Sequence, residues 1–211
     1  MKLTVFGATG GIGQEIVAQA VKAGHEVTAV VRDPARLSVP LKDVTVYTAP
    51  RIDEPESLRE AVAGRDAVLS GLGSRGRKAD GIAERLTRGV LSAMEAEGTR
   101  RLLVVSAAPV GPPPENPGAL DRMMLSLIGA VLKEVYADLT AMEAALAASA
   151  TDWTSVRPPK LTNGPLTGRY RTVVGGSPRA GRSISRADVA HAMLALIDDP
   201  ASVKQGVGVA Y

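Results

Sequence analysis

The stretch YADLT places Tyr136 four residues before Thr140. On a helix these positions lie one turn apart. A lysine at the second position would lower the phenol's pKa and let the tyrosine pass a proton to or from a substrate oxygen. Threonine cannot do this. A phenol near its ordinary pKa of ~10 is a poor base at neutral pH, so Tyr136 is read as a pocket wall or a simple hydrogen-bond donor. Cysteine is absent, and the two histidines, His25 and His191, stand apart. Neither a thiolate nor a histidine-rich metal site is available, and no metal is expected.

The strongest pattern lies in residues that do not react. TVFGATGGIG, from Thr4 to Gly13, spaces Gly7, Gly10 and Gly13 three apart behind an apolar run. In a β–α–β unit this turn falls at the carboxyl end of the first strand. The next helix then aims its free N–H groups and positive end at a ligand, an arrangement suited to a pyrophosphate. A side chain at Gly7 or Gly10 would obstruct that approach, Gly13 lets the helix pack close to the sheet, and Thr9 adds a hydroxyl donor. The same spacing also fits a tight turn without a ligand. Its place at the head of a β–α series favours a dinucleotide.

The end of the second strand, VVRDPAR, bears on which dinucleotide. An acidic residue there would accept from the ribose 2′-hydroxyl of NAD. Here Arg32 comes first and Arg36 follows one turn later, a pair suited to a 2′-phosphate. Asp33 points elsewhere if Arg32 points at the cofactor. Two surface arginines on a loop are the alternative. NADP(H) is expected over NAD(H).

Several elements must position these groups. Strand-like runs fall at 2–6, 26–31, 43–48, 66–72, 101–108, 152–157 and 206–211. Helical spacing covers 11–22, a short helix from Pro55 to Val62, 82–97, about 119–149 with a break near Gly129, and 185–198. Ser185 and Asp188 form a capping box. PVGPPPENPG (109–118) must be a loop, a lid over the strand ends or a rigid connection, and Trp153 is expected in the core. The fold class is α/β: a Rossmann-type, doubly wound, mostly parallel sheet of six to eight strands with helices on both faces. One domain is expected over 1–211, with about 109–211 completing a substrate pocket.

The chain has 211 residues, 25 Lys+Arg against 22 Asp+Glu, a net charge of +3, 45% hydrophobic residues and six aromatics. That balance fits a soluble protein with a local site for an anionic ligand and does not suggest nucleic-acid binding. No apolar stretch reaches the ~20 residues of a membrane span, and a cytoplasmic protein is expected. The expected partner is a small-molecule substrate, with no nucleic acid or membrane, and the chain is a monomer or homodimer.

GATGGIG, VVRDPARL, GLGSR, DWTSVRPPKLTNGPLTGRY and SISRADVAHAML together resemble the atypical short-chain dehydrogenase/reductases of the NAD(P)H-binding, NmrA-like group, near the biliverdin reductase B/flavin reductase type. The resemblance implies that Gly7, Thr9, Gly10, Gly11 and Ile12 line the pyrophosphate and that Arg32 and Arg36 hold the 2′-phosphate. It puts Ile52 near the adenine, and Leu72, Gly73, Ser74 and Arg75 along the ribose and phosphate. Ser106 and Ala107 would lie beneath the nicotinamide, and Pro159, Lys160 and Leu161 over its far side. Three departures stand out. Arg51 replaces an aspartate, Ala107 replaces a common serine, and Lys160 stands where relatives carry arginine or histidine.

Without a Tyr-x-x-x-Lys dyad, the acceptor must need little proton help. Flavins, quinones and bilin-like systems qualify, with flavin as substrate rather than bound cofactor. The candidate catalytic residues are Lys160, Ser106 and Tyr136. Lys160 is read either as a proton source, if burial lowers its pKa, or as a contact to a substrate anion or phosphate. An NADP(H)-binding sensor without turnover and a tailoring isomerase or epimerase are the competing readings.

Overall fold

Alternation along the first strand assigns the two faces of the sheet. β1 (Lys2–Phe6) sends Leu3 and Val5 into one apolar cluster and Phe6 into the other. Thr4 shares the Phe6 side, where its buried hydroxyl donates to the Ala61 carbonyl at 2.5 Å. The structure is a computed structural model and describes residues 1–38, 43–73, 79–112 and 132–211.

β1 pairs in parallel with β2 (Glu26–Val31) and β4 (Ala67–Ser70), and β2 carries β3 (Val44–Thr48) outside it. Beyond β4 follow β5 (Arg101–Val105) and β6 (Asp152–Arg157). Two short strands, β7 (Lys160–Thr162) and β9 (Ser183–Ser185), pair with each other in a separate parallel ribbon. β8 (Arg171–Val174) runs antiparallel to β10 (Gln205–Ala210), which is itself parallel to β6. The large sheet has eight strands in the order β3-β2-β1-β4-β5-β6-β10-β8. This is the mostly parallel Rossmann-type sheet expected. β7, β8 and β9 were not read from the sequence because two of them are three residues long and β8 is exposed throughout.

The helices follow from apolar spacing. α1 (Gly11–Lys22) buries Ile16 and Val17 against β1, and α5 (Arg186–Ala195) adds Val189 and Met193 to the same cluster. On the other face, α3 (Ile82–Glu97) contributes Val90 and Met94, and α4 (Lys133–Ala148) contributes Met142 and Leu146. Each such side chain contributes about 1.5–3 kcal/mol by leaving water. The helix expected from Pro55 begins as a 3₁₀ turn, Pro55–Leu58, before the single α-turn α2 (Arg59–Val62). The proline-rich loop opens with a 3₁₀ turn, Ala108–Val110. Most of that loop and the expected break near Gly129 lie outside the described residues. Trp153 is half-buried at the edge of the second cluster rather than enclosed in it.

The helix starts are treated differently. α3 begins after Gly81, which has no side chain to cap it. Asp138 of α4 supplies the cap instead, accepting from the Ala83 and Glu84 amides at 2.9 and 3.0 Å. α5 is capped by Ser185 Oγ, which accepts from the Asp188 amide at 3.0 Å. The reciprocal arm of the expected capping box differs. The Ser185 amide donates to Tyr211 Oη at 3.1 Å, because the Asp188 carboxylate is engaged elsewhere. α1 has no side-chain cap and no acidic residue in its first turn.

Candidate functional site

The glycine turn joins β1 to α1, and each glycine has a separate reason. Gly7 has φ +70°, and a Cβ there would lie 2.8 Å from the backbone of Gly71 at the end of β4. Its first constraint is therefore the neighbouring chain, where the sequence alone suggested a ligand's approach. At Gly13 a Cβ would lie 2.1 Å from the Gly7 carbonyl oxygen, so close helix–strand packing requires glycine as expected. Gly10 donates to the Gly7 carbonyl at 2.8 Å and closes the turn. Thr9 and Gly10 are half-buried, Gly11 is exposed and Ile12 is buried. The result is a backbone cradle without side-chain bulk, facing an uncapped helix start. A pyrophosphate fits it on charge and on space.

Arg32 follows the last residue of β2, and Arg36 closes the 3₁₀ turn Pro34–Arg36. Both are exposed, and neither has an ion pair among the described residues. Asp33 Oδ1 accepts from the Ala35 amide at 3.1 Å, so its carboxylate caps the turn. On the adenine side, Ile52 is 5% exposed and packs in the second core cluster, leaving only an edge to present to a ligand. Arg51 lies 2.8 Å from Glu54 and 3.6 Å from Asp53 and is neutralised locally. Leu72 is half-buried and Gly73 exposed beyond β4. Ser74 and Arg75 lie outside the described residues.

At the ends of β5 and β6 the structure assembles a polar group absent from the sequence reading. Glu143 of α4 accepts from Ser155 Oγ at 2.7 Å and from Arg157 Nε at 3.0 Å, with a second short contact to Arg157 Nη2. Both charged side chains are about nine-tenths buried. Burial opposes the charge on Glu143. The bonds from Arg157 and Ser155 outweigh it, with the Ser106 hydroxyl close by, and hold the carboxyl below its usual range. The Arg157 guanidinium fills space that a Cβ at Gly111 or Gly206 would occupy, with approaches of 2.7 and 2.2 Å. Its head is thus wedged between β10 and the turn after β5. Ser106 is buried, its amide donates to the Val156 carbonyl at 2.8 Å, and its hydroxyl makes no formed hydrogen bond. Glu143 lies three residues after Thr140 and seven after Tyr136, on the same face of the helix, and that spacing is its signal in the sequence.

Ala107 is half-buried beside Ser106. Tyr136 is half-buried against the second cluster, and burial pushes its phenol further above its ordinary value. Thr140 Oγ1 donates back to the Tyr136 carbonyl at 2.8 Å and so takes no part in activating the phenol. Pro159 and Leu161 are half-buried, whereas Lys160 is exposed. Lys160 therefore lacks the desolvation on which a proton-donor role depended.

A family model described as NAD(P)H-binding matches residues 7–200, from the first glycine of the cradle to beyond α5. The chain belongs to this NAD(P)H-binding family. The resemblance drawn from the motifs points the same way, and the ligand class of the family is a nicotinamide cofactor. The uncharacterized sugar epimerase YhfK of Bacillus subtilis is 29% identical over 210 residues, covering 94% of this chain and 89% of that protein. YwnB of Bacillus subtilis is 33% identical over 108 residues, and the match spans 51% of this chain but about half, 48%, of YwnB. Among solved structures, a candidate exported protein from Burkholderia pseudomallei superposes with a TM-score of 0.81 at 27% identity, covering 100% of both chains. Among the described residues, no helix is long and apolar enough to cross a membrane, and no group of metal-ligating side chains is assembled.

Proposed function

We propose that the protein is an NADPH-dependent reductase that delivers hydride to a conjugated acceptor, a flavin, quinone or bilin-like molecule acting as substrate. The observation that carries this reading is the turn after β2. Asp33 is used on the Ala35 amide, and Arg32 and Arg36 stand without a carboxylate partner among the described residues. A 2′-phosphate supplies the anion these two guanidiniums lack.

When bound, the dihydronicotinamide supplies the hydride. The chain binds and orients it. The amides at the start of α1 would take the pyrophosphate, and Ser106, Ala107, Pro159, Lys160 and Leu161 would hold the ring. The region from about residue 109 onward completes the pocket within one domain. An acceptor whose reduced form is stabilised by conjugation can take its proton from water. That suits a site in which Tyr136 is a weaker acid than usual and Glu143 is locked in an ion pair. Exposed Lys160 is read as a contact to a substrate anion.

The test is NADPH oxidation with a panel of flavins, quinones and bilins, repeated with NADH. Turnover that strongly favours NADPH supports the reading. Tight NADPH binding with no turnover on any acceptor would replace it with a sensor that binds cofactor without chemistry. Similarity to YhfK favours a second reading, an epimerase that leaves the cofactor unchanged overall. It predicts loss of a stereocentre's configuration with no net NADPH consumption. Among the described residues Tyr136 has no activating partner and Glu143 is held in an ion pair with Arg157, which argues for the reductase.

A further inference from the structure

We propose that Arg186 is a cofactor-binding residue that reaches from the C-terminal half of the chain over the glycine turn and clamps the pyrophosphate. This rests on the nicotinamide-cofactor reading above. The decisive contact is with Gly11, the first residue of α1. A Cβ built on Gly11 would lie 2.7 Å from Arg186 Cδ and 2.9 Å from Nε. The arginine stem therefore lies across the bare backbone of the turn, in space that glycine leaves open. Its head arrives at the same helix start whose amides have no side-chain cap and no acidic neighbour.

The charge balance there is one-sided. Arg186 Nη1 donates to Asn163 Oδ1 at 2.6 Å, a neutral acceptor, and no carboxylate pairs with it among the described residues. Arginines elsewhere, such as Arg100 and Arg157, do have carboxylate partners. A half-buried guanidinium and a helix's positive end converge without an anion from the protein, and a diphosphate supplies one.

The guanidinium is also fixed in place. Arg186 opens α5 directly after β9, and Ser185 pairs with Thr162 across the β7–β9 ribbon. Asp188, two residues along, is fully buried and ties α5 to the 167–168 turn. Lys160 begins and Asn163 immediately follows β7, so the elements that place Lys160 also place Arg186. The pyrophosphate is common to NADH and NADPH, so Arg186 acts on both, whereas Arg32 and Arg36 discriminate between them.

The test is Arg186→Gln in the full chain, with dissociation constants for NADPH and NADH measured by titration of dihydronicotinamide fluorescence. Both affinities are expected to fall about tenfold or more, with their ratio unchanged. The salt dependence of binding should also become shallower. Arg186→Lys keeps the charge without the planar fork and should fall between the two; it serves as the test if the glutamine variant does not fold. Arg32→Ser is the control that changes the ratio. Binding of both cofactors by R186Q within about twofold of wild type overturns the proposal and leaves the cofactor reading intact. A loss confined to NADPH also overturns it. A wild-type chain that binds neither cofactor would instead remove the underlying reading.

Discussion

Replacing Asp188 by asparagine asks whether a buried charge organises the C-terminal segment. Asp188 is 0% exposed and accepts five hydrogen bonds. Oδ1 takes the amides of Thr167 and Gly168 at 2.9 and 2.8 Å. Oδ2 takes the hydroxyls of Tyr211, Thr167 and Ser185 at 2.7, 2.8 and 3.1 Å. Burial alone would push this carboxyl up. The bonds from Tyr211, Gly168 and Thr167 outweigh it and bring the group from 3.8 down to about 2. That difference corresponds to about 2.5 kcal/mol of stability. Because the folded value is depressed, the contribution is complete well above the unfolded pKa and is lost as pH falls through the folded one. About half should remain at pH 3. Asparagine keeps the shape but turns an NH2 towards hydroxyls that were donating. We expect D188N to lose about 2–3 kcal/mol in urea unfolding at pH 7, with a midpoint about 5–10 °C lower on heating. The gap from wild type should shrink by roughly 1 kcal/mol at pH 3. An equal gap at both pH values, or a loss at pH 7 too small to measure, would refute the reasoning.

Other substitutions address the remaining parts. Glu143→Gln leaves Arg157 buried without its counter-charge and should cost about 3 kcal/mol in chemical unfolding, whereas Glu143→Leu combined with Arg157→Met should recover most of it. The effect of E143Q should also diminish in acid, since Glu143 is held below its usual range and protonates there in the wild type. Arg32→Ser with Arg36→Ser should weaken NADPH by about a hundredfold in equilibrium titration and change NADH little. Tyr136→Phe should leave kcat/KM with the best acceptor within about threefold and its pH profile unchanged, because the phenol has no activating partner.

The β–α framework was legible because each unit carries its own periodicity. The Leu3/Val5 and Thr4/Phe6 alternation and the Ile16–Val17 stripe point to the right faces without tertiary information. The glycine turn was legible for its position, less so for its reasons: Gly7 answers first to Gly71, sixty-four residues away in sequence. Asp33 lies on a turn that Pro34 sets locally, so its use away from Arg32 needs no distant partner. The Glu143–Arg157 pair was hidden by a different physics. Its partners lie on separate elements, and a glutamate in an Ala-rich stretch of helix looks like a solvated face until β6 is placed behind it. β8 was invisible because RTVV is exposed throughout and is specified by its partner β10 rather than by burial.

The cap that Asp138 provides for α3 has a consequence for how the molecule breathes. The first turn of a helix ordinarily frays by itself, at almost no cost. Here the Ala83 and Glu84 amides are held by a side chain of α4, so fraying of this turn also breaks its bonds to the neighbouring helix. The start of α3 is thereby coupled to α4, and its amides are expected to exchange with solvent more slowly than those of a freely fraying helix end.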